Sequence, residues 1–137
     1  MTRSSSNGAA GPSGPCTVLV VEDEDVLRAV ILRTLRAGGF QVLEAQNGAT
    51  ALQVLEAAGD RRVELVLTDL RMPVMDGRQL AAALARLRPS LPIVFMSGFT
   101  AQLMEMRLVC PDLTVLAKPF RNEDLLDMVR GQLERRA

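Results

Sequence analysis

The residues of this 137-residue chain that could do chemistry stand at the ends of short apolar runs. "TVLVVEDED" passes from the apolar run Val18 to Val21 into four successive carboxylates, Glu22, Asp23, Glu24 and Asp25. Neighbouring anions repel each other, so a cluster of them at the tip of a run that reads as buried asks for a counter-ion. Further along, Val63–Thr68 is followed by Asp69, Pro92–Met96 by Ser97-Gly98, and Leu113–Ala117 by Lys118-Pro119. Carboxylates, one more carboxylate, a hydroxyl and an ammonium are the parts of a site that holds a hard divalent cation and receives a phosphoryl group. Mg²⁺ is the expected cation, because it takes carboxylates, waters and a phosphate oxygen. A carboxylate can act as nucleophile and form an aspartyl-phosphate. That step rests mostly on positioning and charge stabilisation. The sequence contains no His, which excludes Ser/His/Asp and Cys/His catalysis and His-ligated zinc.

Those parts make one site only if the elements bring them together. The apolar runs Thr17–Val21, Phe40–Ala45, Val63–Thr68, Pro92–Met96 and Leu113–Ala117 have strand length, and several are apolar on both faces, as buried parallel strands are. Helical patterns separate them. "DVLRAVILRTLRAGG" sets Leu27, Val30, Ile31 and Leu35 on one face and stops at Gly38-Gly39. "GATALQVLEAAG" is the second helix. "GRQLAAALARLRP" is the third, with Leu80, Ala83, Leu84 and Leu87 inward. "AQLMEMRLV" is a shorter fourth. "NEDLLDMVRGQLERR" is the fifth, with Asn122 as its cap and Leu125, Val129 and Leu133 inward. Strict alternation predicts an α/β domain with a parallel sheet, doubly wound in the order 2-1-3-4-5. Ligands of such sheets lie beyond the carboxyl ends of the strands, at the switch point between strands 1 and 3. In that order the tips of strands 1, 3, 4 and 5 converge. Asp69 is then central and suits the nucleophile. Asp23 and Glu22 both suit the metal, Asp23 more directly and Glu22 through water. Lys118 supplies a point charge for the phosphoryl group, and Ser97 a short donor. Glu24 and Asp25 begin the first helix, where the helix dipole favours acids.

Composition narrows the class. Hydrophobic residues make up 48% of the chain but aromatics only 3%, so the core must be aliphatic. Formal net charge is zero, and no interleaved basic–aromatic patch points to nucleic acid. No apolar run reaches the roughly 18 to 20 residues of a membrane span. The first residues lack the order of a secretion signal, so a cytoplasmic location is the expectation. Cys16 and Cys110 have no metal or redox spacing and read as reduced thiols. Residues 1–15, "MTRSSSNGAAGPSGP", read as a flexible tail or linker, which leaves 16–137 as the domain.

"VLVVEDE", "LVLTDLRMPVMDG", "PIVFMSG" and "LAKPF" together resemble the receiver domains of two-component response regulators, in order and in spacing. The resemblance covers about Cys16 to Glu134 and is nearest in look to receivers fused to hybrid histidine kinases. It implies a flavodoxin-like (βα)5 fold. It also implies a phosphoacceptor module rather than a turnover enzyme, one that catalyses its own phosphorylation and dephosphorylation. Glu22 and Asp23 would be the acidic pair, Asp69 the phosphoacceptor, and the Arg71 main-chain carbonyl a metal ligand. Ser97 would be the switch hydroxyl and Lys118 the characteristic lysine, with a cis bond before Pro119. Met72-Pro73 and Asp76-Gly77 would shape the loop after Asp69. The implied donor is a histidine kinase or a His-containing phosphotransfer protein. The implied output is a change in protein contacts on the face of helix 4, strand 5 and helix 5. Leu103, Met104, Met106 and Leu108 lie there, about half of them expected in the core. Where the family commonly has an aromatic, three residues before Lys-Pro, this chain has Val115. The response is therefore expected to rest on backbone and loop shifts.

Three other readings use parts of the same pattern. A phosphatase of the haloacid dehalogenase type needs a second Asp two residues after the nucleophile, where this chain has Arg71. A nucleotide-binding protein needs a glycine-rich loop after the first strand, where this chain has four anions. A receiver-like binding module that is never phosphorylated would keep the fold.

Overall fold

The computed structural model describes residues 16–58, 62–98 and 100–136, so the segment 1–15 read as a tail lies outside the described residues. Strands and helices alternate as β1 (Thr17–Val21), α1 (Asp25–Ala37), β2 (Gln41–Ala45), α2 (Gly48–Ala57) and β3 (Val63–Asp69). They continue as α3 (Gly77–Leu87), β4 (Ile93–Ser97), α4 (Ala101–Val109), β5 (Thr114–Ala117) and α5 (Asn122–Arg136). All strand pairs are parallel and the order is β2-β1-β3-β4-β5, the expected doubly wound, flavodoxin-like sheet. Asp69 and Ser97 are the last residues of their strands rather than the first residues beyond them.

Period-two alternation divides the aliphatic residues between two faces. Val18, Val20, Leu65, Leu67, Val94 and Met96 pack with Ile31 and Leu35 of α1 and Leu125 and Val129 of α5. On the other face Leu19, Val21 and Val66 meet Ala51 and Leu55 of α2 and Leu80 and Leu84 of α3. A smaller cluster of Leu70, Phe95 and Leu103 seats α4, with Met106 and Val115 packed against it. Val115 thus fills space under α4.

Three details differ from the sequence reading. Val30 is 44% exposed and Leu87 61% exposed, while Leu32 and Thr34 are buried. Val30 sits at the rim of the stripe centred on Ile31 and Leu35, and Leu87 is the last residue of α3. At α5 the first helical bond runs from the Leu125 N–H to the Arg121 carbonyl, and the Asp124 carboxylate accepts from the Arg121 N–H. Arg121 therefore takes the capping position, and Asn122 lies inside the helix.

Candidate functional site

Sheet register brings the chemistry together. Val21 pairs with Thr68, Asp69 with Met96, and Ser97 with Ala117. Glu22, Asp69, Ser97 and Lys118 therefore end four adjacent strands at one rim. Backbone bonds lock that rim: the Leu70 N–H donates to the Met96 carbonyl and the Lys118 N–H to the Ser97 carbonyl. The peptide between Lys118 and Pro119 is cis, as the resemblance implies.

Glu22 is buried, with its side chain 1% exposed, and Lys118 Nζ lies 3.1 Å from its Oε1 and 3.3 Å from Asp69 Oδ1. Glu22 Oε2 accepts from the Glu24 N–H, and Asp69 Oδ1 from the Leu70 N–H. Burial pushes the Glu22 carboxyl above its ordinary 4.5, and the charge of Asp69 adds to this. The Glu24 N–H and Lys118 work against it. Burial alone would lower the Lys118 ammonium. The hydrogen bond to Glu22 and the attraction of Asp69 and Glu22 outweigh burial and hold it above 10.5.

One carboxylate oxygen from each of Glu22, Asp23 and Asp69 lies within 4.8 Å of the other two. Three carboxylates against one ammonium leave two negative charges uncompensated, which is the charge of a divalent cation. The donors are all hard oxygens, and Asp23 is exposed, so a small hydrated cation fits both the chemistry and the access. Ser97 is buried, and its hydroxyl donates to the Gly98 carbonyl at 2.8 Å. Arg71 is exposed in the loop that follows β3. Glu24 is the residue before α1 and makes no side-chain cap bond, and Asp25 opens the helix and pairs with Arg28.

The loop after Asp69 is held from behind. Asp76 caps α3 in a reciprocal capping box with Gln79. The Gly77 N–H donates to the Leu70 carbonyl, and a Cβ at Gly77 would overlap the Asp69 carbonyl oxygen, so only glycine fits. Gly48 donates to the Met75 carbonyl and leaves room for the Met75 side chain, which ties the start of α2 to the same loop.

Two contacts escaped the sequence reading. Lys118 is paired with Glu22 as well as Asp69, because two strand tips that are not neighbours in the sheet still meet at its rim. Arg28 bonds to the Glu22 carbonyl, Asp25 and Glu44. Its signal was the Asp25/Arg28 spacing of three residues on one helix face.

The fold is that of a receiver. The response regulator receiver domain family matches residues 18–130, and the chain belongs to it. It is 36% identical over 124 residues to the sensor kinase CckA of Brucella abortus (strain 2308), covering 90% of this chain and 13% of that protein. It is 34% identical over 117 residues to the response regulator receiver protein CpdR of the same strain, covering 85% of this chain and 95% of that one. The crystal structure of the receiver domain from the hybrid histidine kinase CckA matches with a TM-score of 0.70 at 35% identity, over 85% of this chain and 98% of that one. The chain is therefore a signalling module of two-component systems, related both to response regulators and to receivers carried within histidine kinases. No helix among the described residues is long and apolar enough to cross a membrane.

Proposed function

We propose that this receiver takes a phosphoryl group onto Asp69 from a phosphohistidine on a histidine kinase or phosphotransfer protein. The observation that carries the reading is the charge balance at the rim: three converging carboxylates against one ammonium, an excess that a divalent cation would balance. Asp69 Oδ1 is engaged by Lys118 and the Leu70 N–H, so Oδ2 is the attacking oxygen. Its lone pair forms the new P–O bond, the P–N bond breaks, and the electron pair stays on the imidazole nitrogen, which takes up a proton. Lys118 then pairs with a phosphoryl oxygen. The Ser97 hydroxyl turns from the Gly98 carbonyl to donate to another. Attack of water on phosphorus reverses the modification and releases inorganic phosphate and the carboxylate, so the domain catalyses both steps on itself. Glu22, Asp23, Asp69 and the Arg71 carbonyl would hold Mg²⁺, which offsets the charge of the phosphoryl oxygens when bound.

Phosphorylation adds roughly −1.5 to −2 charge at the β3 tip. Drawing Ser97 and Lys118 inward pulls on the segments that lead into α4 and α5. The output is then a changed protein contact on the α4–β5–α5 face, in the cytoplasm, with residues 1–15 as a linker. Incubation with a small acyl-phosphate donor and Mg²⁺ should add one phosphoryl mass to the intact protein. Asp69→Asn should abolish it, and labelling of that variant at a comparable rate would refute the assignment.

A further inference from the structure

We infer that Arg28 is a positioning residue for the cation site, acting through the backbone between Glu22 and Asp23. The inference rests on the reading that Glu22, Asp23 and Asp69 hold Mg²⁺. Arg28 stands one turn into α1, and its side chain is only 11% exposed. Each nitrogen of its fork has a separate acceptor. Nη1 donates to the Glu22 carbonyl at 2.8 Å, Nη2 to Asp25 Oδ1 at 2.8 Å, and Nε to Glu44 Oε1 at 2.9 Å. These acceptors come from the tip of β1, the first residue of α1 and the neighbouring strand β2. The guanidinium therefore pins the β1–α1 turn to both elements that flank it.

The Glu22 carbonyl belongs to the peptide that joins Glu22 to Asp23. Arg28 fixes that carbonyl from one side. From the other, Glu22 Oε2 accepts the Glu24 N–H. Asp23 lies between these two anchors, and it is the exposed member of the carboxylate triad. A short exposed acid on an untethered turn would sample many directions. Tethered at both neighbouring residues, it is held toward Glu22 and Asp69. Arg28 also occupies the carboxylate of Asp25, which keeps that acid out of the triad.

Charge and positioning predict opposite outcomes. A cation near a metal site weakens metal binding, so removing it should tighten Mg²⁺ if charge were all that mattered. Loss of an outer partner that orients a ligand typically weakens metal binding by about 10- to 100-fold.

Calorimetric titration of Mg²⁺ into the wild-type chain, Arg28→Met and Arg28→Lys separates the two. The Met variant should bind about 10-fold more weakly. The Lys variant keeps the charge but not the three-way fork, and it too should bind more weakly than wild type. In the metal-free protein, amide exchange at Glu24 should quicken in both variants, a readout independent of Mg²⁺. Should the Met variant not fold, the charge-conserving Lys substitution carries the test alone. Binding by Arg28→Lys as tight as wild type, or by Arg28→Met as tight or tighter, overturns the inference. Wild-type protein that binds no Mg²⁺ brings down the cation reading and this inference with it. Wild-type binding with unchanged variants brings down this one alone.

Discussion

α1 and α4 both follow a strand that feeds the site, yet they are held very differently. α1 buries Ile31, Leu32, Thr34 and Leu35, and the turn before it is cross-linked by Arg28 and the Glu24 N–H. α4 buries only Leu103, and among the described residues its ties to the preceding loop are the Leu103 N–H donating to the Thr100 hydroxyl and the Met104 N–H donating to the Thr100 carbonyl. Leu108 and Val109 point outward at 85% and 88% exposure. The acid-bearing side is therefore built to keep its geometry, while the side beyond Ser97 is built to yield. Regions that move are drawn from the part of a fold with the fewest buried apolar contacts. The proposed function, binding a cation and reporting to a partner, would use both kinds of anchoring.

The comparison breaks most visibly through the cores of the two helices. Leu35→Ala should cost about 3 to 5 kcal/mol in urea unfolding, because it opens a cavity in the fully buried cluster between sheet, α1 and α5. Leu108→Ala should change stability by less than about 0.5 kcal/mol. Similar losses from the two substitutions would mean that α4 is as tightly packed as α1.

A smaller effect comes from the carboxylates themselves. Asp23→Asn removes one of the two uncompensated charges. The Mg²⁺ dissociation constant should rise about 10-fold, while the metal-free protein should melt at a higher temperature than wild type. Calorimetry and thermal melts with and without Mg²⁺ check both signs. An unchanged dissociation constant refutes the role of Asp23.

The smallest effect is with pH. Burial raises the Glu22 carboxyl in the folded state above its ordinary 4.5. Its contribution to stability is therefore full below 4.5 and is lost as pH rises through the folded-state value. Metal-free wild type should lose stability relative to Glu22→Gln across that window, and urea midpoints measured at steps of pH should diverge upward. Parallel curves would show that Glu22 ionises as easily inside the protein as outside.

Much of this was legible in the sequence. Alternating apolar runs gave all five strands to within one residue at each end, because strands buried on both faces leave no room for polar residues. The carboxyl-end rule then brought Glu22, Asp23, Asp69, Ser97 and Lys118 together. Helix faces were read less well. Val30 and Leu87 keep the apolar period but sit where the stripe leaves the sheet, and period alone does not show where a helix stops touching its neighbour. Two of the three ties of Arg28 were hidden for a different reason. They join α1 to the β2 residue Glu44 and to a backbone carbonyl, and neither leaves a mark in residue types at fixed spacing.

The contact between Gly77 and the carbonyl of Asp69 gives the domain a direction. The backbone of α3 already touches the peptide that carries Asp69, with no side chain between them to compress. On that flank the tip of β3 meets a wall. On the other flank stand Ser97 and, beyond it, a helix that buries a single residue. Under the proposed phosphorylation, a push delivered at Asp69 would thus be rectified: it would travel toward β4 and α4, because the opposite path is blocked at the outset.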